Sequence, residues 1–326
     1  MAPGRLAPVH APIDLSRYIQ RRHFRAYERD MARGTYGYGV DLRRTRWLTA
    51  SMAGQAPLRA LEHAWVPLAD SLMGEELRFA ERPGDIPILS EIVEIARLLH
   101  TTPPALRLLT PAAQRSGEWG FVTPLSDPRG SDEWLVLDLD ALQRQPERER
   151  AFLLGAGLGH LHCGHGALFA AHLVSHRRGR GNGLIRALLR PWVKVAVFSA
   201  DRAGLLAASE LPAALVALET AAATTPGWWP AFPDLSLRRA ALEEFSATTV
   251  AARFRSRRRR EVGPSLEEDL RTIASPAEPE AEGEAEPNAA GAEAVNAGAE
   301  EIAGVPDDAW TLARCDHRLT RRLGLL

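Results

Sequence analysis

The chain has 326 residues and carries 40 Lys and Arg against 41 Asp and Glu. This near-neutral balance excludes a nucleic-acid binder that works by bulk charge, and 45% hydrophobic with 25% charged residues is the make-up of a globular protein with ample core. Two cysteines, Cys163 and Cys315, cannot build a disulfide framework, which fits a reducing, cytoplasmic setting, and Lys194 is the only lysine.

In chain order, residues 1–20 read as an unstructured lead without the apolar run of a signal peptide. A helical pattern follows from about Leu15 to Arg82, with breaks at Gly34–Gly39 and near Pro57. Its clearest stripe is Leu58, Leu61, Trp65, Leu68 and Leu72, spaced by three and four. Ile88, Ile92, Ile95 and Leu99 predict a second amphipathic helix. The period then changes. Ala105–Leu109, Gly120–Leu125 and Trp134–Leu139 are short apolar runs bounded by Pro, Gly, Asp and Ser, which predicts strands in a small antiparallel sheet. Helices dominate again from Pro146 to about Glu261. The expected class is α+β and predominantly helical.

Two flanking segments stand apart. Residues 263–305 are rich in Ala, Glu, Gly and Pro, hold eight glutamates between Glu278 and Glu301, and predict a disordered acidic linker. Residues 306–326 regain apolar side chains and predict a C-terminal helix that could dock on a main domain of residues 21–262. Arginine gathers at Arg177–Arg190 and Arg253–Arg260, which reads as solvated helix ends beside the acidic linker. Pro226–Pro233, with Trp228, Trp229 and Phe232, reads as an aromatic loop that plugs a gap between helices.

Ala151–His176 contains no Asp, Glu, Lys or Arg, as a membrane span would not, but it carries five histidines and five glycines. The expectation is a buried helix and no membrane span. Gly155-Ala-Gly157-Leu-Gly159 imitates the glycine turn that cradles a dinucleotide, and nucleotide binding there is one alternative function. The third glycine of that fingerprint would fall at His160, and no acidic residue stands about 20 positions on.

The same segment resembles the zinc-binding helix of the M48 family of metallopeptidases, the relatives of the HtpX and CAAX proteases. Leu158-Gly159-His160 matches the end of that family's HELGH, and His162-Cys163-Gly164-His165 matches its continuation. Ser199-Ala-Asp-Arg-Ala-Gly-Leu-Leu-Ala207 is similar to the helix bearing E-x-x-x-D, which supplies a third zinc ligand and an orienting aspartate. Asp316-His-Arg-Leu-Thr-Arg-Arg322 is faintly similar to the family's C-terminal segment. The resemblance implies a zincin-like fold and retains two family positions, His160 and Asp201.

Three positions depart from it. The first histidine's place holds Ala156, the glutamate base's place holds Gly157, and the third ligand's place holds Val197. A catalytic zinc takes three protein ligands, and Ala, Gly and Val can neither ligate a metal nor take a proton. The expectation is therefore a catalytically inactive pseudo-metallopeptidase without a cofactor, binding or regulating a peptide or protein. Its old cleft would be walled by an edge strand near Gly120–Leu125. The alternative is a zinc endopeptidase with reassigned ligands. Cys163, three residues after His160, could join it and Asp201. His165 is five residues on and would diverge from His160 by about 140° on one helix.

Overall fold

In a computed structural model the structure describes residues 27–127, 132–178, 183–261, 306 and 308–325. The expected lead at 1–20 and the acidic linker at 263–305 lie outside the described residues. The described chain forms two compact units, one up to Leu242 and one from Glu243 onward.

The first unit opens with helix α1 (residues 27–36) and a break at Gly37 and Tyr38, followed by α2 (Gly39–Ala50) and α3 (Met52–Glu75). The second break falls at Ser51, and α3 runs on through Pro57. A short 3-10 turn, Pro83–Asp85, leads into α4 (Ile86–Leu98). Ile88, Ile92, Ile95 and Leu99 of that segment are all buried, as their spacing requires.

The sheet has four strands: β1 (Leu77–Arg78), β2 (Ala105–Leu109), β3 (Val122–Ser126) and β4 (Glu133–Leu137). Their order is β1-β2-β4-β3. The expected antiparallel sheet is corrected to a mixed one, because β2 and β4 pair in parallel while the other two pairs are antiparallel. The cause is the crossing after β2. Thr110 caps α5 (Pro111–Ser116) through its side chain, Pro111 starts that helix, and Gly117 ends it with φ +68°. The chain then reaches the outer edge as β3 and returns as β4 between β3 and β2, running the same way as β2. Pro124, which has no N–H to give, is tolerated because β3 is paired on one side only.

After α6 (Leu139–Gln143), capped by the Asp138 carboxylate, comes the central helix α7 (Glu147–His162). It starts directly after Pro146, with Glu147 and Glu149 in its first turn. From Ala151 to His162 every residue but Ala156 is buried, so α7 is surrounded. It packs on β3, α4 and α10 (Leu211–Ala223), and most closely on α9 (Gly183–Ala208). A Cβ at Gly155 would lie 2.5 Å from that of Ala207, and one at Gly159 would lie 2.4 Å from that of Ala203. Glycine weakens a helix by about 1 kcal/mol relative to alanine. Here it lets two helices approach almost backbone to backbone.

The uncharged run Ala151–His176 is thus two helices. It breaks at Gly164, whose φ of +79° is readily adopted by glycine, and continues as α8 (Gly166–Arg178). No described helix is long and apolar enough to cross a membrane. The start of α11 (Leu235–Ser246) completes the first unit.

The second unit comprises the end of α11, α12 (Thr249–Glu261) and α13 (Leu312–Arg322). Thr248 and Trp310 form a parallel bridge, Arg318 and Arg322 both pair with Glu244, and Arg314 and Arg318 cover the Trp310 ring. Cys315 and Leu319 are the buried face of α13.

Candidate functional site: a pocket around His160

A pocket with a free volume of about 60 Å³ lies between α7, α9, the start of β3 and the loop after α10. Ala156, Gly157 and His160 line it from α7, and Val197 and Asp201 line it from α9. All five positions singled out by the metallopeptidase resemblance therefore meet at one cavity. Two helices held together by glycine and alanine bring them there. The remaining wall is mainly aromatic and aliphatic, with Phe121, Val122, Phe152, Trp229 and Phe232, and Thr224, Thr225 and Arg238 add polar groups to it.

The loop is the plug that its composition suggests. Trp228 is buried and donates its indole N–H to the Glu118 carbonyl at 2.6 Å. Trp229 meets Phe169 edge to face, and its ring lies where a side chain at Gly120 would be. Phe232 stacks over His160 with ring centroids 5.8 Å apart and planes 17° apart.

His160 is buried at 6% exposure. Burial, with lesser contributions from His165 and Arg238, holds its pKa well below the usual histidine range, so the ring is neutral at pH 7. Its Nδ1 lies 3.0 Å from Nδ1 of His165. The expected divergence of these two histidines is corrected: α7 ends at His162, the chain turns at Gly164, and the His165 ring comes back against His160. Behind it, His165 Nε2 is 3.0 Å from Asp41 Oδ1, and the Ser199 hydroxyl donates to Asp41 Oδ2 at 2.5 Å. The Tyr38 amide donates to Ser199 Oγ at 2.9 Å. His165, Asp41 and Ser199 are fully buried.

Asp201 does not orient His160. Both its oxygens accept from the Arg238 guanidinium, at 2.7 and 2.9 Å, in a largely buried two-pronged ion pair. Cys163 does not join His160 either. Its thiol faces the hydroxyls of Ser199 and Tyr36, and burial pushes its pKa well up, so it is a poor ligand and nucleophile. Among the described residues, no group of three His, Cys, Asp or Glu side chains could hold one metal ion. One free imidazole nitrogen and a carboxylate already engaged by arginine do not fit a zinc ion.

The neighbouring histidines are structural. Nε2 of His162 faces the Arg29 carbonyl at 3.2 Å and so carries the proton, and its Nδ1 accepts from the Tyr36 hydroxyl at 2.7 Å. Burial lowers its pKa to about 4. His172 Nδ1 accepts from Arg186, and burial followed by the Arg186 charge lowers its pKa to about 4. From the arginine-rich segment, Arg177 pairs with Glu76 and Glu118. The glycine turn proposed for a nucleotide does not form: Gly155, Gly157 and Gly159 stand inside α7, with no strand before them and their Cα atoms against β3 and α9.

Asp41, Ser199, Arg238 and Phe232 complete the site and were not selected from the sequence as site residues. Asp41 follows the Tyr- and Gly-rich stretch Tyr36-Gly-Tyr-Gly-Val, and no spacing ties it to a histidine 124 positions away. Compared with known proteins, the chain matches no family model, no curated protein and no solved structure.

Proposed function

We propose that the chain is a catalytically inactive, M48-like binding protein, a peptidase scaffold without metal chemistry that binds or regulates a peptide or protein. The observation that carries this reading is the shared pocket. Ala156, Gly157, His160, Val197 and Asp201 were picked by motif spacing on two distant segments, and all five line one cavity. The lost groups leave an apolar wall, and an aromatic loop fills the space above His160. The edge strand β3 starts at this pocket, with Phe121 and Val122 in its wall, but all five of its residues are buried and α8 packs against it, so the pocket mouth rather than the strand edge is the feature that supports a partner.

Gly157 adds a physical reason for the loss of the base. A Cβ at this position would lie 2.3 Å from Val122 Cγ1, so a larger side chain here requires Val122 to move or to be shortened. Metal ligation does not need that residue. The double variant Ala156→His, Val197→Glu supplies two ligands beside His160, and the expected result is stoichiometric zinc binding by the variant and none by the wild type. Zinc retained at one per chain by purified wild-type protein overturns the proposal.

A further inference from the structure

Asp41 accepts on both sides, from Ser199 on one oxygen and from His165 Nε2 on the other. A carboxylate has only acceptors, so His165 carries a proton on Nε2. Where that is the only proton on the His165 ring, its Nδ1 is an acceptor and His160 donates to it from Nδ1. That leaves His160 Nε2 as a bare lone pair. No described residue hydrogen-bonds it, and His160 lines the pocket. The second-layer carboxylate thus sets the tautomer of an imidazole it does not touch, as a carboxylate does for an imidazole in other polar sites.

The rest of the pocket defines what this lone pair can meet. Asp201 and Arg238 neutralise each other, so a charged ligand finds no free counter-charge. The walls are mostly apolar but include Thr224, Thr225 and Trp229, whose buried indole N–H has no partner among the described residues and is available to a ligand oxygen, and a free volume of about 60 Å³ is room for a few heavy atoms. We infer that the pocket is a binding site for a neutral hydroxyl on a short apolar stem, which donates its hydrogen bond to His160 Nε2, and that Asp41 and His165 are the positioning residues that keep this nitrogen an acceptor. The inference rests on the proposed metal-free pocket, because a bound metal would take the same lone pair.

The test uses the full chain labelled with ¹⁵N-histidine. The His160 resonances are expected to show Nδ1 protonated and Nε2 unprotonated. Propan-2-ol and acetone share a skeleton, and only the alcohol donates. Propan-2-ol should shift the Nε2 resonance in a saturable way, and acetone should not. Asp41→Asn offers His165 an amide donor and reverses the chain, so His160 Nε2 becomes protonated. The ratio of the Kd values for the two probes should then change by about tenfold or more in favour of acetone, the worth of one hydrogen bond. If Asp41→Asn does not fold, the wild-type spectrum and the two wild-type titrations still decide. A protonated Nε2 in the wild type overturns the assigned tautomer, and a preference for acetone overturns the hydroxyl as the ligand. A metal-free wild type that ignores both probes overturns the ligand site alone, whereas one zinc per chain overturns the metal-free reading on which it rests.

Discussion

His160 and His165 face each other through their Nδ1 atoms, 3.0 Å apart, across the turn that ends α7. Five residues apart on one helix, they would point in different directions. The left-handed Gly164 brings the second ring back under the first and seats it on Asp41. This small reversal makes two histidines of a buried run into a relay with one exit, and several consequences can be measured.

Acid should destabilise the fold steeply. His162 and His172 have folded pKa values of about 4 against an ordinary value of 6.5. Between these values the unfolded chain binds more protons than the folded one, so stability falls as pH drops from about 6.5 to about 4. Each buried histidine contributes on the order of 3 kcal/mol to that loss. Urea midpoints measured from pH 7 to 4 should decline through this window, and His172→Gln should flatten part of the decline. A flat profile would show that these rings are protonated in the fold.

Alanine at Gly155 or Gly159 should destabilise the protein by about 1–3 kcal/mol, although alanine is the better helix former. The new methyl would sit 2.5 Å from the Ala207 Cβ or 2.4 Å from the Ala203 Cβ. Gly157→Ala meets the Val122 methyl instead, and pairing it with Val122→Ala should recover most of the loss. Chemical unfolding of the single and double variants checks both statements. An unchanged or higher midpoint in Gly159→Ala would contradict the close packing of α7 on α9.

Breaking the Asp201–Arg238 pair should cost about 3 kcal/mol, because Asp201→Ala leaves a guanidinium nine-tenths buried without its partner. Replacing both, as Asp201→Leu with Arg238→Met, should cost less than the single change. Thermal unfolding of the wild type, Asp201→Leu, Arg238→Met and the double variant would reveal the coupling, and additive losses would mean that the two side chains do not act as a pair.

Cys163 should resist thiol reagents in the native protein. It is fully buried, and its pKa is pushed upward by burial and by the nearby Asp41 charge. Its labelling rate, followed by mass spectrometry in a Cys315→Ser background, should match the rate of unfolding. Fast native labelling would place the thiol at the surface.

Much of the local structure was legible in the chain. The stripe Ile88, Ile92, Ile95 and Leu99 marked α4, and the run Ala105–Leu109 marked β2 to the residue, because burial on one face imposes its own period on the sequence. The two motif segments could be placed on helices for the same reason, and a four-residue spacing on a helix keeps Ala156 and His160 on one face. β1 was missed, since a two-residue strand carries no periodic signal.

What the sequence determined by itself is the helical frame, the burial of the uncharged run that begins at Ala151 and the absence of metal-ligating groups at Ala156, Gly157 and Val197, all of which depend on residue type and local spacing. What only the tertiary structure decided is the parallel pairing of β2 with β4, the return of His165 onto His160, the seat of that pair on Asp41 and the engagement of Asp201 by Arg238. These depend on how a chain crosses and turns between elements. Groups separated by tens to more than a hundred residues leave no period for one another in the sequence, and only packing chooses their partners.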